Sequence, residues 1–211
     1  MARRTKEEAA ATRDSILDAA EQLFVEQGVS RTTLQHIASA AGVTRGAIYW
    51  HFDDKGALFN AMMERATLPF ECALTVLNKA SEADPLDDLR SFVLEIFRVT
   101  EQDPKARRVF EIASLKVEFV SELDAVRVRR SQSKKEWMAH VEERIKVGIR
   151  GGQIRADVNA RVQALGLWSM MDGLIRNWMF EPGSFGLLET GGQVFDTLLD
   201  GIRARKAERT Q

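Results

Sequence analysis

Cysteine is nearly absent from this chain: Cys72 stands alone among 211 residues, so no disulfide can form within it. A lone thiol fits a reducing compartment, and its ordinary occupation is burial among apolar neighbours. An excess of either charge is lacking too. Lys and Arg total 30 against 31 Asp and Glu, a formal net charge of −1. Contact with nucleic acid must then come from local placement of basic groups, because bulk charge does not supply it. No uncharged apolar run approaches the ~20 residues that cross a bilayer. The amino terminus, rich in charge, has no apolar stretch of the kind that exports a protein. A cytoplasmic protein without membrane contact is expected.

The usual marks of catalysis are missing as well. There is no glycine loop of the phosphate-cradling kind, and Gly148, Gly151 and Gly152 read as a helix end. The histidines, His36, His51 and His140, are dispersed, and Cys72 has no evident base. No cluster of residues suits a metal. An enzyme is not expected, nor a cofactor or a metal centre.

Helical periodicity, by contrast, runs through nearly every segment, while strand alternation is absent. Ile16, Leu17, Ala20, Leu23 and Phe24 line one face of a helix over about 6–27, with Thr5 and Glu8 as a capping box and Gly28 just past its end. A short second helix places Leu34, Ile37, Ala38 and Ala41 inward, and a third runs to about His51. Asp53 or Asp54 caps a longer fourth helix that carries Leu58, Met62 and Met63. After a turn-rich break at 81–85, helices are expected at 86–101, 104–118, 122–150, 158–180 and 187–205. The class is all-α, about nine helices, with residues 1–55 as one domain and 56–211 as a larger helical body.

The segment from Thr32 to Phe52 reads as a helix-turn-helix. Ala38 is small enough for two helices to cross closely, and Gly42, four residues on, can take the left-handed conformation that redirects the chain. Thr44 is placed to cap the second helix, and Ile48 to pack back on Ile37 and Ala38. Arg45, Gly46, Tyr49 and His51 are then left facing outward or sideways, and Trp50 beside them is a further candidate DNA contact. Arg45, in the first turn, is positioned for guanine edges in a major groove. Hydroxyls of Thr33 and Tyr49 suit phosphate oxygens. Lys55 opposes the dipole of its helix, which makes sense if a phosphate sits there. Arg3, Arg4 and Lys6 form a short basic arm that either follows DNA or is simply solvated.

In the body, the helix over 158–180 is apolar around most of its circumference, so both sides must be covered. Leu167, Met170, Leu174 and Trp178, with Phe195, Leu198, Leu199 and Ile202 of the last helix, are the expected dimer face. Phe92, Val93, Ile96, Phe110, Trp137, Val141, Trp168, Met171 and Ile175 are either ordinary core or the lining of a cavity, with Ser114 and Asp172 as its polar groups. An acid on an apolar face needs a partner, and for Asp172 either a nearby Arg or Asn or a cationic ligand would serve.

The stretch Gly42-Val43-Thr44-Arg45-Gly46-Ala47-Ile48-Tyr49-Trp50-His51-Phe52, followed by Asp53, Asp54 and Lys55, resembles the DNA-binding domain of the TetR family of bacterial regulators. With Thr32-Thr33-Leu34, the charged opening from Arg3, and Met171 to Arg176, it is most similar to the branch that represses multidrug efflux pumps. The resemblance implies a homodimer on palindromic double-stranded operator DNA, released by a small hydrophobic or aromatic inducer. It also implies DNA contacts at Thr33, Thr44, Arg45, Tyr49, His51 and Lys55.

Overall fold

The computed structural model describes residues 6–65, 84–118 and 123–204. Arg3 and Arg4 of the basic arm, the Thr5 cap and Cys72 lie outside the described residues. The described residues form nine α-helices and no strand: α1 Lys6–Gln27, α2 Leu34–Ala40, α3 Arg45–His51, α4 over 55–65, α5 Pro85–Gln102, α6 Pro104–Glu111, α7 Asp124–Arg150, α8 Ala160–Phe180 and α9 Leu187–Ile202. None is long and apolar enough to cross a membrane. The expected all-α class and helix order hold.

Capping chemistry explains most boundaries. Gly28 takes φ +83° just beyond α1. Asp54, rather than Asp53, caps α4, its carboxylate accepting from Ala57 N at 2.6 Å. Asp84 caps α5 by accepting from Asp87 N at 3.1 Å, and Pro85 fills the first turn where its missing N–H costs nothing. Asn159 does the same for α8, accepting from Val162 N at 3.1 Å. The start of α9 has Gly186, with no capping side chain of its own. There Glu101 of α5 reaches across and accepts from Leu187 N at 2.7 Å.

One expected helix is split. The stretch 104–118 is α6 followed by a π-helical turn, Ile112–Lys116. Tertiary donors account for the change of pitch. Arg130 Nη1 donates to the Ala113 carbonyl at 2.8 Å, and Val29 N donates to the Lys116 carbonyl at 3.1 Å. Carbonyls drawn sideways in this way leave the α-helical ladder, and an i→i+5 turn accommodates them.

The chain divides into two compact units, residues 1–68 with 104–131 and residues 69–103 with 132–211. The unit that holds the helix-turn-helix therefore extends past residue 55. Its core is Ile16, Leu17, Ala20 and Phe24 of α1, Ile37, Ala38 and Ile48 of the motif, and Leu58, Phe59 and Met62 of α4. Val29, Phe52, Ala61, Val109, Ile112, Leu123 and Val126 complete it. The first three helices cannot by themselves bury all of those side chains, so α4, α6 and the start of α7 close the core. Ion pairs fasten α4 at its described end: Arg65 to Asp18 at 2.7 Å and to Glu21 at 3.5 Å, and Glu64 to Arg129 at 2.6 Å.

In the second unit α5 lies tightly on α9, where a Cβ at Gly191 would come within 2.6 Å of the Phe97 ring. Arg90 is bonded through two nitrogens to Asp196, at 2.6 and 3.0 Å, and Arg144 pairs with Asp88. Bonded to Arg90, the Asp196 carboxyl is held below its ordinary value.

Five of the eight residues expected at a dimer face are covered by their own chain. Leu167, Trp178, Phe195, Leu199 and Ile202 are buried within their own chain, while Met170, Leu174 and Leu198 are half-buried. The five buried side chains have no area left for a partner. The apolar residues and glycines that α8 and α9 leave exposed include Val162, Leu165, Gly166, Val194 and Gly201, with Phe180 at the end of α8.

Candidate DNA-reading face and ligand-binding body

The helix-turn-helix is assembled by two threonines and a glycine. Thr33 caps α2, its hydroxyl oxygen accepting from His36 N at 3.1 Å. Thr33 N in return donates to His36 Nδ1 at 3.4 Å, so a histidine completes a capping box in the place usually held by Glu or Gln. At the turn, Gly42 adopts φ +66°, a conformation that would strain any residue with a Cβ. Thr44 caps α3 through Ala47 N at 3.2 Å. Ile48, wholly buried, pins α3 to Ile37 and Ala38, as its spacing predicts. Phe52 closes the motif, covered on one face by the Arg13 guanidinium at 5.4 Å from the ring centroid.

With Ile48 inward, α3 turns Arg45, Gly46, Tyr49 and Trp50 to solvent. Trp50 is 72% exposed, which is a large apolar area to leave in water. The half-buried His51 ring meets it edge-on at 4.6 Å. Arg45 Nη2 donates to Tyr49 Oη at 3.0 Å, and its guanidinium lies 5.5 Å from the Tyr49 ring centroid. The guanidinium is thus held in place while other N–H groups point away from Tyr49. Gly46 has only the Thr44 hydroxyl near its missing Cβ, so the surface there is open. The Thr33 and Thr44 hydroxyl oxygens accept from backbone, which leaves each O–H to donate outward.

Lys55 departs from the expectation that it holds phosphate. It is 4% exposed, and its Nζ donates to three carbonyls, Val29 and Thr32 at 3.0 Å and Ser30 at 3.4 Å. The ammonium faces the α1–α2 connection, where carbonyl dipoles stabilise it. That offsets its poor placement near a helix N-terminus. A lysine so placed shapes the loop that leads to Thr33.

Of the residues proposed for a cavity, Phe92, Val93 and Ile96 of α5, Trp137 and Val141 of α7, and Met171 and Ile175 of α8 are buried in the second unit. Trp168 and Asp172 of that unit are half-buried. Trp137 and Trp168 are brought into contact, rings edge to face at 5.1 Å. Phe110 and Ser114 fall instead in the first unit, on α6 and the π-turn. Asp172 is supplied with a partner by its own helix: Arg176 Nε donates to it at 2.7 Å. Among the described residues no cluster of His, Cys, Asp or Glu is arranged to hold a metal ion.

Comparison with known proteins agrees with this geometry. Residues 16–62 match the family model described as bacterial regulatory proteins, tetR family, and residues 84–203 match that of the MAATS-type transcriptional repressor C-terminal region. The chain is 37% identical to the HTH-type transcriptional regulator TtgR of Pseudomonas putida, over 99% of this chain and 100% of the relative. It is 38% identical to the HTH-type transcriptional regulator AcrR of Shigella flexneri, over 95% and 93%. Among solved structures, NalD, the secondary repressor of the MexAB-OprM multidrug efflux pump in Pseudomonas aeruginosa, superposes with a TM-score of 0.85 at 32% identity, covering 95% of this chain and all of that one. A SmeT–triclosan complex gives 0.82 at 30% identity, covering 93% of each. The chain belongs to the TetR family, as a transcriptional repressor homologous to those that control efflux pumps.

Proposed function

We propose that this repressor acts in the cytoplasm as a homodimer on a palindromic operator that controls a multidrug efflux operon, and leaves it when a small apolar or aromatic compound binds. The observation that carries the DNA reading is the outer face of α3, where Arg45 is fixed against Tyr49 beside an uncovered Gly46. Arg45 reads base edges. Thr33, Thr44, Tyr49, Trp50 and His51 contact phosphate and sugar, with Arg3 and Arg4 as an accessory arm. Lys55 contributes by holding the loop before Thr33 and not by touching DNA.

Two reading helices about one turn of DNA apart require two chains, and this supports the dimer. The uncovered face of α8 and α9, with Val162, Leu165, Val194, Gly166 and Gly201, is the surface we assign to it. The relatives named as efflux-pump repressors support the choice of operon, and the triclosan complex of SmeT supports a small aromatic effector. Release follows if the effector prefers the conformation that does not fit DNA, tenfold release needing about 1.4 kcal/mol of preference.

Gel-shift titration against palindromes near its own promoter tests this reading. A salt-sensitive complex that aromatic compounds dissociate is expected. Absence of salt-sensitive binding to any such palindrome would overturn it.

A further inference from the structure

Two unmatched hydrogen-bond donors stand beside one tryptophan in the second unit. Lys134 and Trp137 are a turn apart on α7, and so share a face of that helix. Both meet Trp168 of α8. Lys134 Nζ lies 5.8 Å from the Trp168 ring centroid, and the Trp137 ring approaches Trp168 edge to face at 5.1 Å. Trp137 is 4% exposed, yet its buried Nε1 has no hydrogen-bond partner. Indole N–H is a donor only, and among the described residues no acceptor answers it, so an acceptor on a bound ligand would satisfy it. Lys134 is half-buried and forms no ion pair with a described carboxylate. The acid nearest in sequence to Trp168 on α8, Asp172, is already bonded to Arg176.

The geometry points to an aromatic acid as the ligand of this repressor. Its ring packs against Trp168, and its carboxylate or phenolate oxygen accepts from Trp137 Nε1–H while facing the Lys134 ammonium. This rests on the reading of the chain as ligand-responsive, and narrows the effector to one charge class. A charge-assisted acceptor suits the site because one donor is desolvated and the other is cationic. A cationic ligand meets the opposite situation: the π-face of Trp168 already holds an ammonium, which repels a second one.

Isothermal titration of the full-length protein with three planar probes of matched size tests the inference. The probes are 2-naphthoate, 2-naphthalenemethanol and 2-naphthylmethylammonium. The acid is expected to bind about tenfold more tightly than the alcohol, and the amine most weakly. Lys134→Met should bring the acid down to the affinity of the alcohol, and Trp137→Phe should weaken the acid roughly three- to tenfold. Lys134 is on the half-buried side of its helix, so the first variant keeps the test valid if the second misfolds. Equal affinities, a tightest-binding amine, or an acid preference that survives Lys134→Met each overturns the inference and leaves the ligand-responsive reading standing. Failure of all three probes to bind overturns the inference, and the ligand-responsive reading then depends on operator release alone.

Discussion

Lys55 Nζ donates to the Val29 carbonyl at 3.0 Å, while the amide of the same Val29 donates to the Lys116 carbonyl at 3.1 Å. Residue 29 is therefore engaged from both sides: the start of α4 holds its oxygen and the π-turn after α6 holds its nitrogen. Four residues later Thr33 caps α2. The approach to the reading motif is set by tertiary hydrogen bonds from two elements distant in sequence.

Lys55→Met should accordingly act on stability. Three carbonyls lose a charged donor in a buried place, for which a loss of about 2–4 kcal/mol is expected in urea unfolding. Operator affinity falls with it, but the slope of log affinity against log salt should not change. A phosphate-contacting lysine would instead lower that slope by about 0.9. A reduced slope with unchanged stability would restore Lys55 to the DNA interface.

Arg45→Ala has the opposite signature. Its guanidinium is exposed and touches only Tyr49 in the described contacts, so stability should change by no more than about 0.5 kcal/mol. Operator binding should weaken by ~1–3 kcal/mol, with sequence discrimination relaxed. Binding of an aromatic effector, followed by calorimetry, should be unaffected. Loss of effector binding would show that the two functions are not housed separately.

Glu21 supplies a pH-dependent test. Burial raises its carboxyl above the ordinary value, and Arg65 offsets this in part. The native state then keeps the proton to higher pH than the unfolded chain, so folding is penalised above the folded-state value and not below the unfolded one. Glu21→Gln should thus be more stable than the parent at about pH 7, with the gap closing toward about pH 4. A variant less stable at neutral pH would mean that the Arg65 pair, at 3.5 Å, outweighs desolvation.

The dimer face can be tested by contrasting two substitutions. Val194→Asp places a charge on the uncovered side of α9 and should shift the particle from dimer to monomer in light scattering, with helicity retained. Leu167→Ala removes a wholly buried side chain and should cost ~2–5 kcal/mol of stability instead. If Leu167→Ala yielded a folded monomer, the sequence-based face would be the right one.

The motif from Thr33 to Phe52 was legible in the sequence because its determinants are local. A capping hydroxyl, a left-handed glycine and a small residue at a helix crossing each act within about one turn of their own position. Helix number and order were legible for the same reason, since periodicity and caps are short-range. Which side of α8 the chain itself covers was not. Periodicity identifies α8 as apolar on two sides, but which side its own chain covers depends on where α5 and α9 lie. The same limit applied to Asp172, whose partner Arg176 sits one turn away but shares the helix with other candidates.

For the reading motif, then, sequence alone determined α2, the Gly42 turn and the outward placement of Arg45, Gly46 and Tyr49, while the exposure of Trp50 in place of His51 was not read from it. Only the tertiary structure decided the part of Lys55. A lysine at a helix start looks the same in sequence whether an anion or a set of carbonyls answers its charge. Here the carbonyls of Val29, Ser30 and Thr32 converge on it from more than 20 residues away, a convergence that exists only once α1 and α4 have packed.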